Sequence, residues 1–156
     1  MATTIQNATL TVVVTETLSL GGTQYGGTKT LEIADINEVY KKVVTVPADN
    51  LVTLVNFSTN TYDSGGAVDI DDVKYVRVTN LDDTNPIEFA FVGENSLYEI
   101  RLDAGHSHIL GITKDSMMAE ADTTPTTGIA NLEDIESIQA YSVTNACDIE
   151  IFIASV

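Results

Sequence analysis

The chain has 156 residues, 44% hydrophobic and 19% charged, with 23 acidic side chains against 7 basic ones. A formal charge of −16 argues against direct contact with nucleic acid, whose binding surface needs clustered Lys and Arg to displace counterions, and it works against an anionic membrane in the same way. The length suits one domain that closes a core without metal or disulfide, and Cys147 stands alone, so no intrachain bridge is possible.

Residues 1–7 lack the basic start and apolar segment of a secretory signal, and no run of 18 apolar residues is present. The expectation is a chain made and used without membrane insertion. The sequons at Asn7 and Asn56 are then chance matches.

With 21 Thr, 16 Val and 14 Ile, the chain is rich in β-branched side chains, which are stiff at χ1 and fit a pleated surface. Residues 9–20 alternate: Leu10, Val12, Val14, Leu18 and Leu20 fall on one face and Thr9, Thr11, Thr15, Thr17 and Ser19 on the other, which predicts a strand with one face buried. Gly21-Gly22 predicts a tight reversal, Gly26-Gly27 a repeat of it, and residues 28–33 a short ribbon.

After a connection over 34–37, residues 39–46 read as a strand stopped by Pro47, with Lys41 and Lys42 on opposite faces. Residues 51–57 form the next strand, and 58–72 a long polar loop. Three hairpins are expected: 73–80 with 87–92 around the Asx-rich turn 81–86, 97–102 with 106–112, and 135–142 with 147–154. Residues 113–131, which hold Thr123-Thr124-Pro125-Thr126-Thr127-Gly128, read as a surface loop. About nine evenly spaced strands predict an all-β, antiparallel β-sandwich of Greek-key or jelly-roll type, preceded by an arm over residues 1–8.

Candidate chemistry is sparse. His106 and His108 share a strand face and could present two imidazoles to a metal, as cupin enzymes do. The cupin pattern, however, wants a Gly where Ile100 stands, a Glu where Ile112 and Thr113 stand, and a further His that the chain does not contain. The expectation is two surface imidazoles and no metal. Asp69-Ile70-Asp71-Asp72 after Asp63-Ser64-Gly65-Gly66 offers oxygen ligands for Ca²⁺, but Val73 and Lys74 break the EF-hand register. A solvated acidic loop is the better reading, with adventitious Ca²⁺ left open. No G-x-S-x-G elbow, phosphate-cradling Gly loop or Cys–His motif is present. Lys41, Lys42, Lys74, Arg77 and Arg101 are expected to pair with nearby carboxylates. No catalytic residue and no cofactor is assigned.

Three segments carry a resemblance: Tyr75-Val76-Arg77-Val78-Thr79-Asn80-Leu81-Asp82-Asp83-Thr84-Asn85, Tyr98-Glu99-Ile100-Arg101-Leu102-Asp103-Ala104-Gly105-His106-Ser107-His108-Ile109-Leu110, and Asp148-Ile149-Glu150-Ile151-Phe152-Ile153-Ala154-Ser155. The pattern of strand, Asn-Leu-Asp turn, strand ending in Ala-Gly and final strand resembles virion structural proteins of tailed bacteriophages, in particular small β-sandwich decoration or cement proteins.

The resemblance implies a non-enzymatic protein on the capsid exterior, made in the host cytoplasm. It would bind the major capsid protein or other virion proteins, as a homotrimer. A tail or fibre accessory module and a cupin-like or lectin-like ligand-binding domain are the alternatives. For partner contact the sequence singles out the arm residues Thr3, Thr4, Ile5, Gln6 and Asn7, which could extend a neighbour's sheet edge through main-chain hydrogen bonds.

Overall fold

The computed structural model describes residues 6–63, 67–117 and 132–156. Its strands are β1 (Ala8–Thr15), β2 (Ser19–Leu20), β3 (Thr23–Gln24), β4 (Thr28–Ile36), β5 (Glu38–Val46), β6 (Asn50–Phe57), β7 (Ala67–Val68), β8 (Val73–Asn80), β9 (Ile87–Val92), β10 (Leu97–Leu102), β11 (Ser107–Leu110), β12 (Ser137–Ser142) and β13 (Cys147–Ser155). One sheet has the order β10-β9-β12-β6-β7 and a second the order β11-β8-β13-β5. These nine strands form the expected antiparallel sandwich, with β6–β7 as its one parallel pair among the described residues.

With the two-residue β7 set aside, the pairings are nested. The first strand, β5, lies beside the last, β13; β6 lies beside β12, β8 beside β11, and β9 beside β10. That is one long hairpin rolled across two sheets, the jelly-roll arrangement.

The rolling explains why the three expected hairpins do not form. β8 and β9, β10 and β11, and β12 and β13 are consecutive in sequence, yet each pair is divided between the two sheets. Short polar turns join them as arches. Period-two alternation and a turn are shared by hairpins and arches, so local pattern cannot choose between them. Residues 58–72 also hold more structure than a loop: a 3₁₀ turn at Thr61–Asp63 and the edge strand β7.

The inner faces supply the core. Val76, Val78, Ile149, Ile151 and Ile153 from the four-stranded sheet meet Ile87, Phe89, Phe91, Ile138 and Ala140 from the five-stranded one, and all are essentially inaccessible. Each large apolar side chain so buried contributes about 1.5–3 kcal/mol. At the open side, Tyr98 of β10 stacks on Phe91 with ring centroids 4.5 Å apart, and its hydroxyl lies 3.5 Å from His108 Nε2 on β11. Burial pushes the Tyr98 phenol up to about 12 and holds the His108 imidazole below its ordinary value.

One end of the sandwich is tied together by Asn80, which is wholly buried. Its Nδ2 donates to the Asn85 carbonyl at 2.8 Å and to the Leu102 carbonyl at 3.2 Å, and its Oδ1 accepts from the Asp82 N–H at 3.0 Å. The backbone joins in: Asn80 N–H donates to His106 O, Gly105 N–H to Asn80 O, and Leu81 N–H to Asp148 O. Gly105 has φ +73, a conformation that glycine adopts without steric cost. The three segments quoted for the resemblance therefore converge on a single polar knot, and the motif is a device of architecture.

Candidate functional site

β1 to β4 lie outside the sandwich and make one antiparallel ribbon. Leu10 faces Ile33, Val12 faces Leu31, Val14 faces Lys29 and Thr15 faces Thr28. Beyond them Glu16 N–H donates to Gly27 O at 2.8 Å and Tyr25 N–H to Leu18 O at 2.9 Å, and Ser19 and Leu20 pair with Gln24 and Thr23. The register never shifts from Leu10 to the tip, so the ribbon is about 35 Å long at ~3.4 Å per residue.

Gly21 (φ +59) and Gly22 (φ +82) close it. Two successive left-handed residues define the two-residue turn that matches strand twist. Gly26-Gly27 is not the second reversal that the sequence suggests. It lies on the returning side, where a Cβ at Gly26 would meet the backbone of Glu16 and come within 2.6 Å of its carbonyl carbon. Close approach of the two strands, with no change of direction, is what requires glycine there.

The buried face expected for residues 9–20 is only partly buried. At the base, Leu10, Val12 and Ile33 pack with Ile36 against Tyr75, Phe152 and Ala154 on the outer face of the four-stranded sheet. Further out the same face has no cover: Val14, Leu18, Leu20, Tyr25 and Leu31 are each between 46% and 66% exposed. Between ribbon and sheet an open groove of about 220 Å³ is lined by Val12, Val14, Leu31, Tyr75 and Ile109, with Lys29 and Lys74 beside it. A neighbouring depression of about 400 Å³ continues it over Arg77 and Phe152.

Charge divides the chain along the same line. Residues 1–46 hold four acidic and three basic side chains, a net of −1; residues 47–156 hold nineteen acidic and four basic, a net of −15. The ribbon and β5 are thus nearly neutral and expose apolar surface, while the rest of the sandwich is strongly acidic. Exposed apolar surface gathered on one element makes the ribbon the candidate contact face.

Of the arm residues proposed for partner contact, Thr3, Thr4 and Ile5 lie outside the described residues; Gln6 and Asn7 are exposed, and Asn7 Nδ2 donates to Asp35 Oδ1 at 3.4 Å. His106 is exposed, with Nδ1 3.1 Å from the Ala104 carbonyl. His108 is not the surface imidazole expected. Its strand turns it inward, where it is half-buried against Tyr98 and Phe91. Among the described residues no group of three or more His, Cys, Asp and Glu is placed to hold a metal.

In the acidic loop, Asp69 Oδ1 accepts from Asp71 N–H at 3.0 Å and Asp71 pairs with Lys114. Residues 64–66 of the other Ca²⁺ candidate lie outside the described residues, as do 118–131 of the expected Thr-rich surface loop. The basic side chains are placed unevenly. Lys41 and Arg77 converge on Glu150 at 3.0 and 2.6 Å and hold its carboxyl below the usual range, the Lys41 hydrogen bond being the larger cause. Arg101 lies 3.7 Å from Asp103, whereas Lys42 and Lys74 make no ion pair among the described residues.

A second, smaller feature lies on the outer face of the five-stranded sheet. Leu51, Glu88, Ala90, Glu99 and Tyr141 line a depression of about 300 Å³. There the Tyr141 hydroxyl donates to Asp49 Oδ1 at 2.6 Å, a bond that raises the phenol's pKa.

No family model matches the sequence, and no curated protein matches it. Two solved structures are similar in shape. One is a chain of the Bacillus endospore appendages, described as a family of disulfide-linked pili: 9% identical, TM-score 0.44, covering 76% of this chain and 85% of that one. The other is the family 11 carbohydrate-binding module from Clostridium thermocellum, solved with a β-1,3-1,4-mixed-linked tetrasaccharide: 15% identical, TM-score 0.27, covering 96% and 87%. At these scores neither likeness bears on function. The chain's class, an all-β antiparallel sandwich, rests on its own strand order.

Proposed function

We propose that this chain is a non-enzymatic structural protein of a virion exterior, of the capsid-decoration type, which makes its contacts through the β1–β4 ribbon. The observation that carries this reading is the ribbon's exposed apolar face, built in unbroken register on an otherwise acidic molecule. The resemblance to phage decoration proteins points the same way, although its three segments form the Asn80 knot and so serve the architecture. An acidic body suits the outside of a shell, where it is kept away from packaged DNA.

Antibody raised against the recombinant chain and applied to virions of the encoding phage tests the reading. Label spread over the head, at hundreds of copies per particle, is expected. Label on the tail alone would move the protein to the accessory-module class, and unlabelled particles would overturn a virion role.

The depression at Tyr141 favours a second reading, a glycan-binding module, because an aromatic ring flanked by carboxylates can stack on a sugar and accept from its hydroxyls. Saturable binding of soluble oligosaccharides that is lost in Tyr141→Ala would support it.

A further inference from the structure

We propose that the ribbon's apolar face is covered by the same face of the ribbon in a second copy, the two crossing antiparallel about a twofold axis level with Thr15 and Thr28. This inference rests on the reading of the chain as a structural assembly protein and names the partner of that surface.

The face is its own complement. From base to tip it carries an apolar pair (Val12, Leu31), then Val14 beside Lys29, then Glu16 beside Gly27, then a second apolar pair (Leu18, Tyr25). Inversion about Thr15 and Thr28 sets Lys29 of each copy against Glu16 of the other, and it sets each tip pair against the other copy's base pair. Among the described residues neither Lys29 nor Glu16 makes an ion pair within its own chain. Each tip would enter the groove between the other copy's ribbon and its Tyr75 and Ile109.

Charge selects this surface over others available for self-association. A contact through the sandwich outside β5 sets two strongly acidic surfaces together, whereas the ribbon is nearly neutral. The edge strand β5 is blunted in its own way. Lys42 is its central residue, so a twofold pairing of β5 with itself places Lys42 against Lys42. The ribbon contact is isologous and closes as a dimer, unlike the trimer that the resemblance implies.

Charge reversal in the full chain tests this by sedimentation velocity. E16K and K29E, each alone, place like charges together twice per dimer, and each is expected to weaken association by about tenfold. An equimolar mixture of the two variants restores both opposite-charge pairs in the mixed dimer and is expected to recover the wild-type affinity. Single variants that associate as tightly as wild type, or a mixture no tighter than its components, overturn the proposal. Wild-type chain that stays monomeric at every concentration overturns the second copy as partner and leaves decoration, read separately by the virion labelling, standing. Cooperative melting of both variants at the wild-type temperature guards against misfolding as the cause.

Discussion

Replacing Asn80 with Ala removes two donated hydrogen bonds and one accepted bond from a side chain with no access to water. The groups left behind are the carbonyls of Asn85 and Leu102 and the N–H of Asp82, all in half-buried residues. At about 1 kcal/mol for each lost bond the variant should be less stable by about 3 kcal/mol. For a domain of this size that is a fall in Tm of roughly 6–12 °C. Urea titration followed by circular dichroism reads the change as a lower midpoint at constant slope. Asn145→Ala is the control: its Nδ2 donates to Asn85 Oδ1 at 2.9 Å from an exposed position, and its loss should cost under about 1 kcal/mol. An Asn80→Ala protein within about 1 kcal/mol of wild type would refute the view that this knot holds the end of the sandwich.

Gly26→Ala drives a methyl group into the Glu16 backbone, so the ribbon should lose its regular pairing while the sandwich keeps its urea midpoint; hydrogen exchange of the Glu16 and Tyr25 amides checks this. Acid should act in two stages. Burial lowers the His108 pKa, so its contribution is complete above 6.5 and is lost as pH falls through the folded value. Glu150 is also depressed, and its contribution is complete above 4.5 and is lost at lower pH. Asp82 and Glu133 are depressed as well, so Glu150→Gln should shrink the second stage of a pH–stability curve and leave the first. Salt should strengthen self-association, because raising ionic strength from 0.01 M to 0.15 M shortens the Debye length from about 30 Å to about 8 Å and screens the acidic bodies. Sedimentation at the two strengths reads the sign, and dissociation on adding salt would show that ion pairs outweigh apolar burial.

Strand positions are legible in the sequence because alternation is a local property; residues 39–46, 73–80, 87–92 and 97–102 lie where the pattern places them. Partner choice is not local. Nothing near Asp103-Ala104-Gly105 says that Leu102 and Ser107 belong to different sheets, which follows from nesting β8 with β11 and β9 with β10. Residues 9–20 show a different limit. Leu18 and Leu20 alternate as buried residues do, but burial requires a partner face, and the sandwich reaches only as far as Leu10 and Val12. The signal that could have marked them as contact residues is the near-neutral charge of residues 1–46 beside the −15 carried by the remainder.

The central claim is that the ribbon's exposed apolar face makes the protein's contacts. Sedimentation of the full chain carrying Leu18→Ser, Leu20→Ser and Tyr25→Ser, at physiological salt and over a range of concentrations, tests it most directly. These side chains touch nothing in the core, so the melting temperature should stay where it is. Each buries about half its surface anew on association, worth roughly 1 kcal/mol apiece and counted once per copy. A dimer should therefore weaken by several thousandfold or more and sediment as a monomer. A triple variant that associates as tightly as the wild type, with its fold intact, would contradict the account.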